Sequence, residues 1–120
     1  MKKQVYIIGN PNDEFNLVNE TKYYRAQLNL IEMGFNVINP FERIGNSEIS
    51  EAETKRKNIK DLMFSDAVYI MPDVELSKKN IEIKIAIDFN LITIISLLNL
   101  DKKEMNLNKG KHKKINKKAF

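Results

Sequence analysis

The apolar positions of the chain fall into short solid runs separated by longer segments in which they recur three or four residues apart. Val5-Tyr6-Ile7-Ile8 is a solid run that stops at Gly9, Asn10 and Pro11, all turn residues. A run with no polar alternation suits a strand covered on both faces, so a first strand is expected over residues 4–9. Leu17, Thr21, Tyr24, Leu28 and Ile31 then follow at helical spacing. That stripe predicts a helix facing the core, closed by Gly34 just past its C-terminus. Residues 35–39 read as a second strand stopped by Pro40, and residues 41–50 as a loop. Ser50 with Glu53 forms a capping box, which opens a second helix with Ile59, Leu62 and Met63 on its inner side. Residues 67–71 read as a third strand ended by Pro72, and residues 91–95 as a fourth.

The segment 80–90 is contested. Ile81, Ile83, Ile85, Ile87, Phe89 and Leu91 alternate with polar or small residues, which by pattern alone predicts a strand. A strand there would follow the third and run directly into the fourth, so a helix is the better reading. Ile81 and Ile85 would then face away from Ile83 and Ile87, and the helix needs cover on two sides. The sheet supplies one side. The expectation is that a partner subunit supplies the other, as a homodimer or a higher homo-oligomer. Strands separated by helices argue for βαβ units, an α/β class and a parallel sheet.

At 120 residues with 42% apolar content, the chain is one domain with one core. The charge is uneven. Residues 101–120 hold eight Lys against Asp101 and Glu104, a balance of +6, while residues 1–100 hold twelve Lys or Arg against fourteen Asp or Glu, a balance of −2. The expected organisation is a domain over 1–100 and a Lys-rich tail over 101–120. A nucleic-acid reader carries its basic stripe on the folded surface. The tail is expected to be solvated, with at most non-specific contact to nucleic acid. The absence of Cys excludes thiol catalysis and Cys-based zinc sites, and the single His112 excludes multi-His metal centres. The apolar run 91–100 is too short to span a bilayer, and Lys2-Lys3 followed by four apolar residues is not a secretory signal. A soluble, cytoplasmic protein without membrane contact is expected.

In a parallel sheet of this kind, ligands sit beyond the C-terminal ends of the strands. Three loops should converge there, over residues 9–14, 39–50 and 72–79. Neither a dinucleotide glycine fingerprint nor a P-loop occurs. Ser77 is a plausible N-cap for the helix that bears Glu82, which would put Glu82 about one turn inside a helix aimed at the crevice. A carboxylate there can act as nucleophile or base. It can equally, with Lys84, do no more than solvate a helix edge. Tyr6 on the first strand is a core residue with a tethered hydroxyl, within reach of a carboxylate across neighbouring strands. Asp66, just before the third strand, belongs at the opposite end and reads as a turn residue.

Several blocks in order resemble one family. Val5-Tyr6-Ile7-Ile8-Gly9, a long helix and then Val37-Ile38-Asn39-Pro40 look like the opening of the small nucleoside 2-deoxyribosyltransferase-like domains (the DUF4406 group). The run from Ile59 through Asp66-Ala67-Val68-Tyr69 to Pro72 is similar to that group's D-I-x-x-L-x-x-C-D-A-I-Y-x-L-P. Glu75-Leu76-Ser77, then Glu82 with Ala86 four residues on, resembles its W-E-x-S-x-G-A-x-x-E-x-x-x-A. The resemblance spans residues 4–95. It implies a flavodoxin- or Rossmann-like parallel sheet of four to five strands with helices on both faces, usually in an oligomer. It implies Glu82 as the nucleophile on C1′ of a (deoxy)nucleoside or nucleotide, with Tyr6 orienting it. Gly9, Asn39, Asn58, Asp73 and Ser77 would lie on the substrate side. This chemistry requires no metal and no cofactor. The departures are specific: Asn58 stands where the group often has Asp, Lys79 and Asn80 replace a Gly-Ala pair, Asp73 and Val74 replace Gly-Trp, and Asn10 separates Gly9 from Pro11. Asp73 is a candidate replacement for the lost acid. Three functions are therefore weighed: glycosyl transfer or N-glycoside cleavage, a catalytically inactive nucleotide-derivative sensor, and a small dimeric interaction protein without ligand.

Overall fold

Strand β1 (Gln4–Ile8) is buried at every position from Val5 to Ile8, which accounts for its unbroken apolar run. It lies between β2 (Asn36–Ile38) and β3 (Ala67–Ile70), with Tyr6 in register with Ile38 on one side and Val68 on the other. Beyond β3 runs β4 (Ile92–Ile95), and every pairing is parallel, in the order β2-β1-β3-β4. The computed structural model describes residues 2–44, 48–77 and 79–95, of which 92–95 are described in backbone only. The expected boundary near residue 100 and the Lys-rich tail lie outside the described residues.

Three helices connect the strands: α1 (Leu17–Glu32), α2 (Glu51–Met63) and α3 (Ile81–Asp88), with a short 3₁₀ turn over Pro40–Arg43. Their ends are set by side chains that satisfy otherwise orphaned backbone groups. Asn16 Oδ1 accepts from the Asn19 amide at the start of α1, and Ser50 Oγ accepts from Glu53 at the start of α2. Gly34, at φ 97°, ends α1 in a Schellman turn in which Gly34 and Phe35 donate to Ile31 and Leu30. Asn90, at φ 56°, ends α3 in the same way, with Asn90 and Leu91 donating to Ile87 and Ala86.

Two expectations about faces are corrected. The stripe Leu17, Tyr24, Leu28 and Ile31 points outward, with Leu17 76% exposed; the core-facing side of α1 is Tyr23, Ala26 and Leu30. A small Ala and a Tyr with a polar tip make the true inner stripe less apolar than the outer one. On α2, Leu62 is buried but Met63 is exposed. The segment is helical over Ile81–Asp88, and part of its second cover comes from within the chain. Ile83 and Ala86 are buried, Ile85 and Ile87 pack against the core, and α2 packs along α3. Ile81 and Phe89, at the two ends of the segment, stay exposed, so the cover from within the chain is partial. Among the described residues, no helix is long and apolar enough to cross a membrane.

Candidate functional site

Beyond the C-terminal end of β1 opens a cavity of about 530 Å³. Its floor is the turn from Gly9 to Asp13. One wall is the 3₁₀ turn, through Pro40, Phe41 and Arg43. A second wall is one face of α2, through Glu51, Thr54, Lys55, Asn58 and Ile59. The first turn of α3 brings Asn80, Ile81 and Glu82 to the rim.

Glu82 reaches the cavity because α3 starts later than the sequence suggests. Asn80, and not Ser77, is the N-cap; its Oδ1 accepts from the amides of Glu82 and Ile83 at 3.0 and 3.2 Å. Glu82 thus sits in the first turn. Its Oε2 accepts a 2.6 Å hydrogen bond from the Tyr6 hydroxyl, which rises from the fully buried centre of β1. Burial raises the Glu82 pKa above the usual carboxylate range, and the Tyr6 hydrogen bond works against that rise. Burial, followed by the Glu82 charge and hydrogen bond, pushes the Tyr6 phenol far above its ordinary value. Tyr6 is accordingly a fixed donor, and the pair is a poised carboxylate held by a neutral phenol.

Across the cavity, Arg43 donates to Asn58 Oδ1 at 2.6 Å and pairs with Asp61. This clamp ties the 3₁₀ turn to α2 and fixes the two walls relative to each other.

The floor is fixed by a second cluster. Tyr23 of α1 stacks on Phe41 with ring centroids 4.3 Å apart, and its hydroxyl donates to Asp13 Oδ2 at 2.6 Å. The hydroxyl passes so close to Gly9 that a Cβ on that residue would lie 1.6 Å from it. Gly9 is therefore required by close approach. Burial, then the Asp13 hydrogen bond, holds the Tyr23 phenol well above its ordinary pKa. Lys22 bridges Asp13 and Asp73 at 3.2 and 2.9 Å, and Asn10 Nδ2 donates to Asp73 Oδ2 at 3.1 Å. Partial burial disfavours the Lys22 charge, but the hydrogen bonds to Asp73 and Asp13 outweigh it, and its pKa is raised.

Of the residues singled out from sequence, Glu82, Gly9 and Asn58 line the cavity, and Tyr6 touches Glu82 from beneath. Three stand elsewhere. Asn39 caps the 3₁₀ turn through Phe41 N and donates to Gln27, and it borders a separate, smaller hollow. Asp73 is outside the wall, held by Lys22 and Asn10. Ser77 accepts from the Lys79 amide and neither caps α3 nor lines the cavity. Within the loop 72–79, Lys78 lies outside the described residues, and Lys79 is exposed and away from the wall. Asp66 binds the Gln4 amide at the far end of the sheet, as a turn residue would. Sequence reasoning missed Asp13, Tyr23, Phe41 and Arg43. The one signal available for Tyr23 and Phe41 was their aromatic character beside the two loops that do converge. Compared with family models, curated proteins and solved structures, the chain matches none.

Proposed function

We propose that the protein is a nucleoside 2-deoxyribosyltransferase-like enzyme that cleaves or transfers the N-glycosidic bond of a (deoxy)nucleoside or nucleotide through Glu82. The observation that carries this reading is the partly buried carboxylate of Glu82, held at 2.6 Å by Tyr6 and opening onto a cavity of about 530 Å³. That volume falls within the range of small-molecule sites. The strand order β2-β1-β3-β4 is that of the flavodoxin-like doubly wound fold, in which ligands bind where the order reverses between β1 and β3. In the proposed first step, Glu82 attacks C1′. The C1′–N bond breaks, and the base leaves with the bonding electrons and takes up a proton from water. A second base or water then attacks C1′ and releases the Glu82 carboxylate. Tyr6 orients the attacking group, and removal of bulk water leaves the carboxylate poorly solvated before reaction. The chemistry parallels a retaining glycosidase. The reaction as written uses no metal or cofactor, and a cytoplasmic setting belongs to the same proposal.

A second reading, an inactive nucleotide-derivative sensor, is favoured by one observation. Asn58 carries no titrating proton, and its side-chain oxygen is already occupied by Arg43. A homodimer or higher oligomer belongs to the same proposal. Leu17, Tyr24, Leu28 and Ile31 form an exposed apolar stripe on α1 suited to a second copy. Light scattering on a size-exclusion column tests it, and a monomer at micromolar concentration refutes it. Chromatography of nucleosides and nucleoside monophosphates incubated with the protein separates the two functions. The enzyme releases or exchanges a base in wild type and loses that activity at least about a thousandfold in Glu82→Ala. Thermal stabilisation by a nucleotide with no base release supports the sensor.

A further inference from the structure

Asp13 is the most firmly held polar group on the cavity floor, and the chemistry above does not use it. Its side chain is 14% exposed, and one oxygen, Oδ2, takes both the Tyr23 hydroxyl at 2.6 Å and Lys22 Nζ at 3.2 Å. Lys22 is braced in turn by Asp73, and Asp73 by Asn10. The carboxylate is thus fixed against rotation from two sides. Among the described residues, no hydrogen bond reaches Oδ1, and Asp13 borders the same cavity as Glu82. Both donors the protein supplies go to Oδ2, so Oδ1 is the oxygen left to accept from a ligand. The Asp13 carboxylate is held in one orientation before any ligand arrives. It is well suited to accept a hydrogen bond from a ligand without losing side-chain entropy on binding.

We propose that Asp13 is a specificity-determining residue whose Oδ1 accepts a hydrogen bond from a neutral donor on the ligand, either a sugar hydroxyl or a base N–H. This rests on the reading of the cavity as a nucleoside site. Because the contact is charge-assisted, a ligand that lacks the donor leaves Asp13 desolvated and unpaired, so the site rejects it.

The test is calorimetric binding in the Glu82→Gln background, which holds the ligand without turnover. The ribo- and 2′-deoxyribonucleosides of the common bases identify the best binder. Analogues of it that lack the 2′-, 3′- or 5′-hydroxyl, or the exocyclic amine, are then compared with and without Asp13→Asn. The expected result is a loss of about 10–100-fold on Asp13→Asn for the parent nucleoside. That loss should vanish for the single analogue missing the donor. A hydroxyl analogue behaving so assigns the contact to the sugar, and an amine analogue assigns it to the base. Tyr23→Phe keeps the carboxylate but frees its rotation, so it is expected to weaken the parent nucleoside by a smaller factor. It serves as the second variant if Asp13→Asn does not fold. An Asp13→Asn loss that is equal across all analogues overturns the assignment and leaves the nucleoside reading intact. No binding of any nucleoside overturns both.

Discussion

At the scale of single residues, the account rests on two close approaches, Tyr6 to Glu82 and Tyr23 to Gly9. Glu82 was legible in the sequence as a carboxylate near a helix start. Its depth was not, because the cap at Asn80 that sets its position competes with an equally plausible Ser77. Burial raises the Glu82 pKa, so between its ordinary and raised values the folded state holds more protons than the unfolded chain. Stability conferred at this site is therefore lost as pH rises through that window and is flat below it. Glu82→Gln removes the cost of a partly desolvated charge and keeps an acceptor for Tyr6. It is expected to be more stable than wild type at pH 7 and no more stable at low pH, as urea denaturation across pH will read. Tyr6→Phe deletes the hydrogen bond that opposes the rise. The Glu82 pKa should climb further, moving the acid limb of the pH–rate profile to higher pH, with a loss of about 10–100-fold in kcat/KM. At Gly9, the added methyl of Gly9→Ala must displace the Tyr23 hydroxyl. The expected cost is about 1–3 kcal/mol in denaturant melts, together with a loss of nucleoside binding.

At the scale of elements, the caps were easier to read than the faces. Ser50 with Glu53, and Gly34, marked helix ends correctly because local backbone geometry demands those residue types. The inner face of α1 was misread because apolar count and burial diverge there. Tyr23 earns its place through its hydroxyl and Ala26 through its small size, neither of which raises the apolar signal. Denaturation of two variants tests the corrected face directly. Leu30→Ala, at a fully buried site, should cost about 2–5 kcal/mol. Leu28→Gln, on the exposed stripe, should change the stability of an isolated chain by less than about 0.5 kcal/mol. The reverse order would restore the face first read from the spacing.

At the scale of the whole molecule, the α/β class and the parallel sheet were legible, because buried strands give solid apolar runs and parallel strands need long crossovers. Which loops would meet was legible only in part. The turns after β1 and β2 do converge, whereas the described residues of 72–79 stay off the wall, where α2 contributes a helical face no motif announced. The Arg43 clamp to Asn58 and Asp61 joins residues 15 and 18 positions apart, a pairing that no local pattern encodes. The most direct measurement is acid-quenched peptide mapping by mass spectrometry during reaction with a deoxynucleoside. The account predicts a sugar adduct on the peptide carrying Glu82, absent in Glu82→Gln. Base release with the adduct on another side chain, or at an unchanged rate in Glu82→Gln, would contradict it.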